Sequence, residues 1–224
     1  VDKPVGMSSF DVIRALRRQT GFRKIGHAGT LDPLASGLML MLFGPACKKA
    51  ESLTKLDKRY AAEVTLGATS STGDGEGDKN PVSERVPELS EIEAALAKLT
   101  GEITQIPSAY SAIKINGKEA YKRVRAGEAV EMPSRRVMVY ENKIVDYEYP
   151  ILKLASKVSS GTYIRTLAED LGGLLGTGAY LSGLVRTEVD KYLLKDANVL
   201  KEVNSASISA KLLTISYSRL IKNL

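Results

Sequence analysis

Asp32 is the side chain whose setting in the sequence is best suited to chemistry. It is the only formally charged residue from Gly26 to Ala46, and Pro33 after it pushes its backbone towards an extended form. One carboxylate is thus presented on a constrained backbone. Buried alone, it would have its pKa raised by desolvation; a cation and hydrogen bonds would hold it ionised. Arg165 is the candidate cation. It falls in the first turn of a helix expected after Ser159-Ser160-Gly161, where a positive charge opposes the helix dipole by roughly a few tenths of a kcal/mol. A cation in that position calls for a partner elsewhere; the competing reading is a surface arginine whose stem packs on a sheet.

Other chemistries are excluded by residue type. The chain has one His and one Cys, whereas a structural zinc site takes about four such ligands and a disulfide framework needs pairs. A Ser-His-Asp or Cys-His device would have to be built around His27, and nothing near it resembles a nucleophile elbow. Cys47, in an apolar run ahead of Lys48 and Lys49, reads as an inert thiol. Asp74, Glu76 and Asp78 occupy the first, third and fifth positions of an EF-hand-like loop, but Lys79 and Arg85 stand at its sixth and twelfth, where Gly and Glu belong. A solvated acidic loop without metal is expected. No P-loop or dinucleotide fingerprint occurs, so no nucleotide cofactor is expected.

The elements that must position these residues follow from patterning. The 224 residues are 43% hydrophobic and 26% charged, the make-up of a globular protein. The longest apolar stretch, Gly37 to Ala46, is about half the roughly 20 residues of a membrane helix and contains Gly and Pro. The N-terminus shows no charged segment leading into an apolar one, so a cytoplasmic protein is expected. Ser8 or Ser9 caps a helix running to Thr20, stopped by Gly21. A Gly-punctuated loop, Gly26 to Gly37, leads to a buried strand or helix start at Leu38 to Phe43. Pro45 to Leu56 reads as a helix and Arg59 to Leu66 as an alternating strand. Ser90 to Thr100 opens on a Ser90/Glu93 capping box. Ile103 to Ile115 reads as short strands broken at Pro107, Asn116-Gly117 as a tight turn, and Lys118 to Ala126 as a basic helix. Arg135 to Tyr149, Ile151 to Ser159 and Ala179 to Val189 read as strands, with a helix over Thr162 to Leu175. Without a strict βαβ rhythm, the expected fold is α/β with a mixed, largely antiparallel central sheet flanked by helices. One domain is expected over 1–196, followed by a thinly patterned tail, 197–224.

Charge is unevenly distributed. Residues 1–60 hold 11 Lys/Arg against 5 Asp/Glu, residues 61–100 hold 3 against 8, and residues 101–136 hold 7 against 4. Two basic stretches around an acidic one suit a polyanion such as nucleic acid; the plainer reading is a solvated basic face.

Six segments, in order, closely resemble the TruB family of tRNA pseudouridine synthases: DKPVGMSS (Asp2 to Ser9), GHAGTLDPLASG (Gly26 to Gly37), DKRYAAEVTLG (Asp57 to Gly67), IPSAYSAIKINGKEAY (Ile106 to Tyr121), SSGTYIRTLAEDLG (Ser159 to Gly172) and GAYLSGLVRTEV (Gly178 to Val189). The resemblance runs from Val1 to about Asp196. It implies isomerisation of the T-loop uridine at position 55 of tRNA, by base flipping and a catalytic aspartate, in a protein that works alone on the tRNA T-arm. By it Asp32 is the catalytic carboxylate, Arg165 its partner, and Tyr60 the ring that stacks on the target base. His27 supports the flipped nucleotide or fills its place, and Tyr163 and Leu184 line the pocket. Lys3, with Pro4, supports the catalytic loop and is counted with the substrate-binding residues.

Ala28, Thr30, Ser108 and Val185 depart from the family's usual residues, which touches RNA affinity more than chemistry. The reaction breaks a C–N bond and forms a C–C bond with no net exchange of atoms or electrons, so neither metal nor redox cofactor is expected. What it needs is an ionised carboxylate, a stacking surface and a base removed from its fold. Whether Asp32 attacks the ribose or the base ring stays open. An RNA-folding helper on the same scaffold is the alternative reading; a glycoside hydrolase would need a second, suitably placed carboxylate.

Overall fold

The computed structural model describes residues 1–111, 113–115 and 117–208. Asn116 of the expected turn and residues 209–224 of the expected tail lie outside the described residues. The chain divides into two compact units, Val1–Thr54 with the chain from Lys191 onward, and Lys55–Asp190.

In the first unit the two serines offered as alternative caps have separate jobs. Strand β1 (Asp2–Lys3) leads to α1 (Ser9–Thr20), which Ser8 caps in a box with Asp11: each backbone N–H donates to the other's side chain, at 3.1 and 2.9 Å. Gly21, at φ 73°, ends the helix. Ser9 faces inward instead and takes part in the site below. The expected loop over Gly26 to Gly37 is shorter than its glycines suggested. Its ends are strands β2 (Ile25–Ala28) and β3 (Ala35–Leu38), because their alternating apolar residues find partners. Strand β2 pairs antiparallel with β4 (Leu40–Phe43), and β3 with β1. The segment expected as one helix from Pro45 is a 3₁₀ helix, Gly44–Lys49, followed by α2 (Ala50–Thr54). From Lys191 onward the chain adds Leu200, Val203 and Ile208 to the core, and Ser205 Oγ donates to the Thr20 carbonyl.

The second unit is built on strand β5 (Lys58–Leu66). Lys58, Tyr60, Ala62, Val64 and Leu66 are its buried face, the period-two pattern of a half-covered sheet. Next comes a hairpin of β6 (Ala68–Ser70) and β7 (Lys79–Pro81). Helix α3 (Leu89–Lys98) starts one residue before the expected cap, because the Glu88 N–H donates to Glu91 at 2.8 Å and Arg85 fixes that carboxylate in turn. Strand β8 (Gly101–Gln105) precedes a small hairpin of β9 (Lys114–Ile115) and β10 (Lys118–Glu119), then α4 (Ala120–Arg125). Gly117, at φ 82°, makes the turn that the Asn-Gly signal anticipates.

Strands β11 (Arg135–Glu148) and β12 (Ile151–Val158) follow, then α5 (Ile164–Leu175) and β13 (Ala179–Val189). The strand order is β13-β5-β12-β11-β8, every pair antiparallel. Helices α3 and α5 pack on this sheet and on each other, as the α/β expectation has it. Ile92, Leu96, Leu167 and Leu171 meet Val64, Leu152, Leu154 and Leu181 in the core.

Candidate active site

Asp32 sits half-buried on the turn joining β2 to β3, and its backbone is held at three successive residues. The Ser9 hydroxyl donates to the Leu31 carbonyl and accepts from the Leu31 N–H, both at 2.9 Å. The Asp32 carbonyl accepts from Ala35 N–H at 3.0 Å, and the Pro33 carbonyl from Gly6 N–H at 2.8 Å. The turn carrying Gly6 is itself tied down by Lys3, whose wholly buried ammonium donates to the carbonyls of Pro4 (2.9 Å) and Met7 (2.6 Å). The short Asp32 side chain is thus presented from a backbone held at each flanking peptide. His27, half-buried on β2 opposite Met41, completes the expected residues of this unit.

In the second unit the register places Tyr60 directly across from Arg186 on β13 and Ser156 on β12, while Leu184 faces Ala62 two pairs along. Tyr60 and Leu184 are therefore diagonal neighbours on the buried face of the sheet, within reach of each other for an aromatic side chain. Lys58, Tyr60 and Arg186 are all under a tenth exposed. Burial first, and then the charge of Arg186, push the Lys58 ammonium down to about 8, with Asp57 acting the other way.

Arg165 lies in the first turn of α5, and its buried guanidinium does have an acidic partner in its own unit. Nη1 donates to the Thr72 carbonyl at 3.0 Å and lies 3.2 Å from Asp74 Oδ2. This corrects the expectation of a solvated acidic loop at Asp74, while Glu76 and Asp78 are exposed as expected. Asp74 is turned inward and 3% exposed. Its other oxygen accepts from Thr72 Oγ1 at 2.6 Å and from Glu76 N–H at 3.1 Å. The Leu181 N–H, donating to the Gly73 carbonyl, anchors the turn on β13. Glu169, one helical turn beyond Arg165, packs its carboxyl against Gly73, where a Cβ would come within 2.7 Å of it. Burial raises the Glu169 pKa, and Arg165 opposes that rise. Asp74, the first of the three spaced acids, thus serves an arginine. Among the described residues no group of three or more His, Cys, Asp or Glu is placed to hold a metal ion.

Tyr163 is the N-cap residue of α5, half-buried, with Arg135 over its ring. The structure thus brings Tyr60 and Leu184 together on the sheet, and Tyr163 and Arg165 together at the start of α5. Asp32, His27 and Lys3 belong to the first unit. Ser9, Asp74, Gln105 and Arg186 escaped the sequence reading. For Ser9 the signal was present, since two adjacent serines competed for one cap.

Residues 17–164 match the model of the TruB family pseudouridylate synthase (N terminal domain). The chain belongs to this family. It is 44% identical over 215 residues to tRNA pseudouridine synthase B of Cupriavidus metallidurans, covering 94% of this chain and 68% of the relative. To the Geobacillus thermodenitrificans protein of the same name it is 44% identical over 211 residues, covering 91% and 70%. Among solved structures, a Cbf5-Nop10-Gar1 complex matches with a TM-score of 0.63 at 29% identity, over 84% of this chain and 47% of that one. An H/ACA RNP bound to a substrate RNA containing 2'-deoxyuridine matches with a TM-score of 0.63 at 27% identity, over 86% and 47%. The chain spans about half the length of these solved chains. The mixed α/β fold with its mostly antiparallel sheet is that of the family's pseudouridine synthases.

Proposed function

We propose that this chain isomerises uridine 55 in the T-loop of tRNA to pseudouridine, with Asp32 as the catalytic carboxylate. The observation that carries the reading is the turn around Asp32, braced at Leu31, Asp32 and Pro33 within a family of pseudouridylate synthases. The glycosidic bond from C1′ to N1 breaks, the base turns, and a bond from C1′ to C5 forms. The proton leaving C5 is balanced by one taken up at N1, so no electrons are exchanged and the reaction needs no redox cofactor or metal. A carboxylate acting at the sugar or at the base ring satisfies this chemistry equally.

Tyr60 is the stacking surface for the everted base, an interaction worth about 1–3 kcal/mol, and Leu184 and Tyr163 line the pocket beside it. Arg165, which also pairs with Asp74 in its own unit, is the cation assigned to Asp32. His27 supports the flipped nucleotide or fills the space it leaves. The substrate is the T-arm stem-loop, bound by a monomer in the cytoplasm.

The test is incubation with an unmodified T-arm hairpin and quantification of pseudouridine. Wild-type protein converts the target uridine, and Asp32→Asn converts none while still binding the hairpin. A wild-type reaction without product, or turnover retained by Asp32→Asn, overturns the reading.

A further inference from the structure

Strands β8 and β11 pair up to Gln105 and Arg135, which lie directly opposite each other, and the chain between them leaves the sheet for residues 106–134. Both residues at the base of this excursion turn towards Tyr163. Gln105 is wholly buried, and its amide grips the tyrosine's backbone from both sides. Oε1 accepts from Tyr163 N–H at 3.0 Å, and Nε2 donates to the Tyr163 carbonyl at 3.2 Å. An N-cap N–H is among the donors a helix leaves unpaired, and Tyr163, as N-cap, makes no side-chain cap hydrogen bond to α5. An amide from a strand distant in sequence does for this N–H what the Glu or Gln of a capping box ordinarily does.

Arg135 acts on the other end of the same residue. Its guanidinium carbon lies 4.9 Å from the centroid of the Tyr163 ring, a cation–π distance. Close approach is secured by Gly161, at φ +85°, where a Cβ would stand 3.3 Å from Arg135 Nη1.

We propose that Gln105 and Arg135 are positioning residues: they fix Tyr163 in backbone and ring, and thereby hold the first turn of α5, from which Arg165 projects two residues on. The excursion they close carries the basic segment around Lys118, Lys122 and Arg123, which suits an RNA backbone. This assignment rests on the reading of the chain as a pseudouridine synthase.

The experiment compares Gln105→Leu, Arg135→Met and Arg135→Lys with wild type in steady-state conversion of the T-arm hairpin and, without RNA, in amide hydrogen exchange over 163–167. A misplacement of about 1 Å can cost up to about a hundredfold in rate. The expected result is a loss of that order in kcat for Gln105→Leu and Arg135→Met, with KM little changed. Arg135→Lys, which keeps a cation over the ring, recovers part of the loss, and exchange over 163–167 is faster in Gln105→Leu. Should Gln105→Leu fail to fold, the two Arg135 variants carry the test at a half-buried site. An unchanged kcat, a loss confined to KM, or unaltered exchange overturns the proposal. Failure of the functional reading looks different: wild-type protein makes no pseudouridine, whatever the exchange data show.

Discussion

Arg165 and Asp74 form a buried ion pair, Nη1 to Oδ2 at 3.2 Å, with side chains 8% and 5% exposed. Ninety-one residues apart in sequence, they join the start of α5 to the turn between β6 and β7. Desolvating two charges is offset only when their remaining hydrogen-bonding capacity is used. Here Thr72 serves both partners, its carbonyl accepting from Arg165 and its hydroxyl donating to Asp74. Removing one member of such a pair costs up to about 3–5 kcal/mol, because the other charge stays buried. Asp74→Ala is therefore expected to lower the urea-unfolding free energy by an amount in that range and to depress pseudouridine formation more than substrate binding. A stability change below about 1 kcal/mol, the value of an exposed pair, would show that the pair contributes little.

Ser9 tests the bracing of the Asp32 turn without touching the carboxylate. Its hydroxyl satisfies both the N–H and the carbonyl of Leu31, and both residues are buried. Leaving a buried polar group unpaired costs about 1–3 kcal/mol. Ser9→Ala is expected to lose stability on that scale and to lower kcat with KM nearly unchanged, since the turn loses its hold rather than its chemistry. Thermal unfolding and steady-state rates measured on the same preparation separate the two effects.

Much of the fold was legible because its signals are local. Gly21 ends α1, the alternation over β5 chooses its buried face, and Gly117 closes its turn, each through neighbours a few residues away. The partner of Arg165 was not legible, because a salt bridge between residues 74 and 165 depends on where β13 lies. Asp74 looked solvated, like Glu76 and Asp78, for the same reason: sequence shows charge but not the cation waiting across the fold. Gln105 is the same case, since a polar residue ending a strand looks exposed until α5 is packed over it. The loop around Asp32 was located but drawn too long, because its glycines and proline masked the short strands that pin its ends.

Lys58 makes stability depend on pH in a window set by its own shift. Its ammonium titrates near 8 when folded, against an ordinary value of 10.5, through burial first and the charge of Arg186 second. Between about pH 8 and 10.5 the unfolded chain holds a proton that the folded chain lacks, so this group makes stability rise with pH there. Below 8 both states are protonated, and the cost of burying the charge is present in full. Lys58→Met removes the contribution. The difference in unfolding free energy between wild type and Lys58→Met is expected to move in favour of wild type as pH rises through that window, and to stay flat between pH 6 and 7. A flat difference throughout would place the titration of Lys58 elsewhere.

The exposed face of α1 gives a prediction about RNA affinity rather than chemistry. Arg14, Arg17 and Arg18 all face solvent, with the Arg14 guanidinium 5.4 Å from the ring centroid of the exposed Phe10. Arg14 is also paired with Asp11, which neutralises part of its charge. Arg17 and Arg18, in the last turn, suit the negative end of the helix dipole. If this face meets the phosphate backbone, log affinity falls linearly with log salt, and each phosphate contact removed lowers the slope by roughly 0.7–0.9. Arg17→Glu is expected to weaken hairpin binding several-fold and to flatten that slope by about one contact, leaving kcat unchanged. Arg14→Glu is expected to cost less, because Asp11 already offsets it. Filter binding across a salt series with both variants decides the matter: equal slopes for wild type and Arg17→Glu would remove α1 from the RNA-binding face and leave the excursion at 106–134 as the source of the basic contacts.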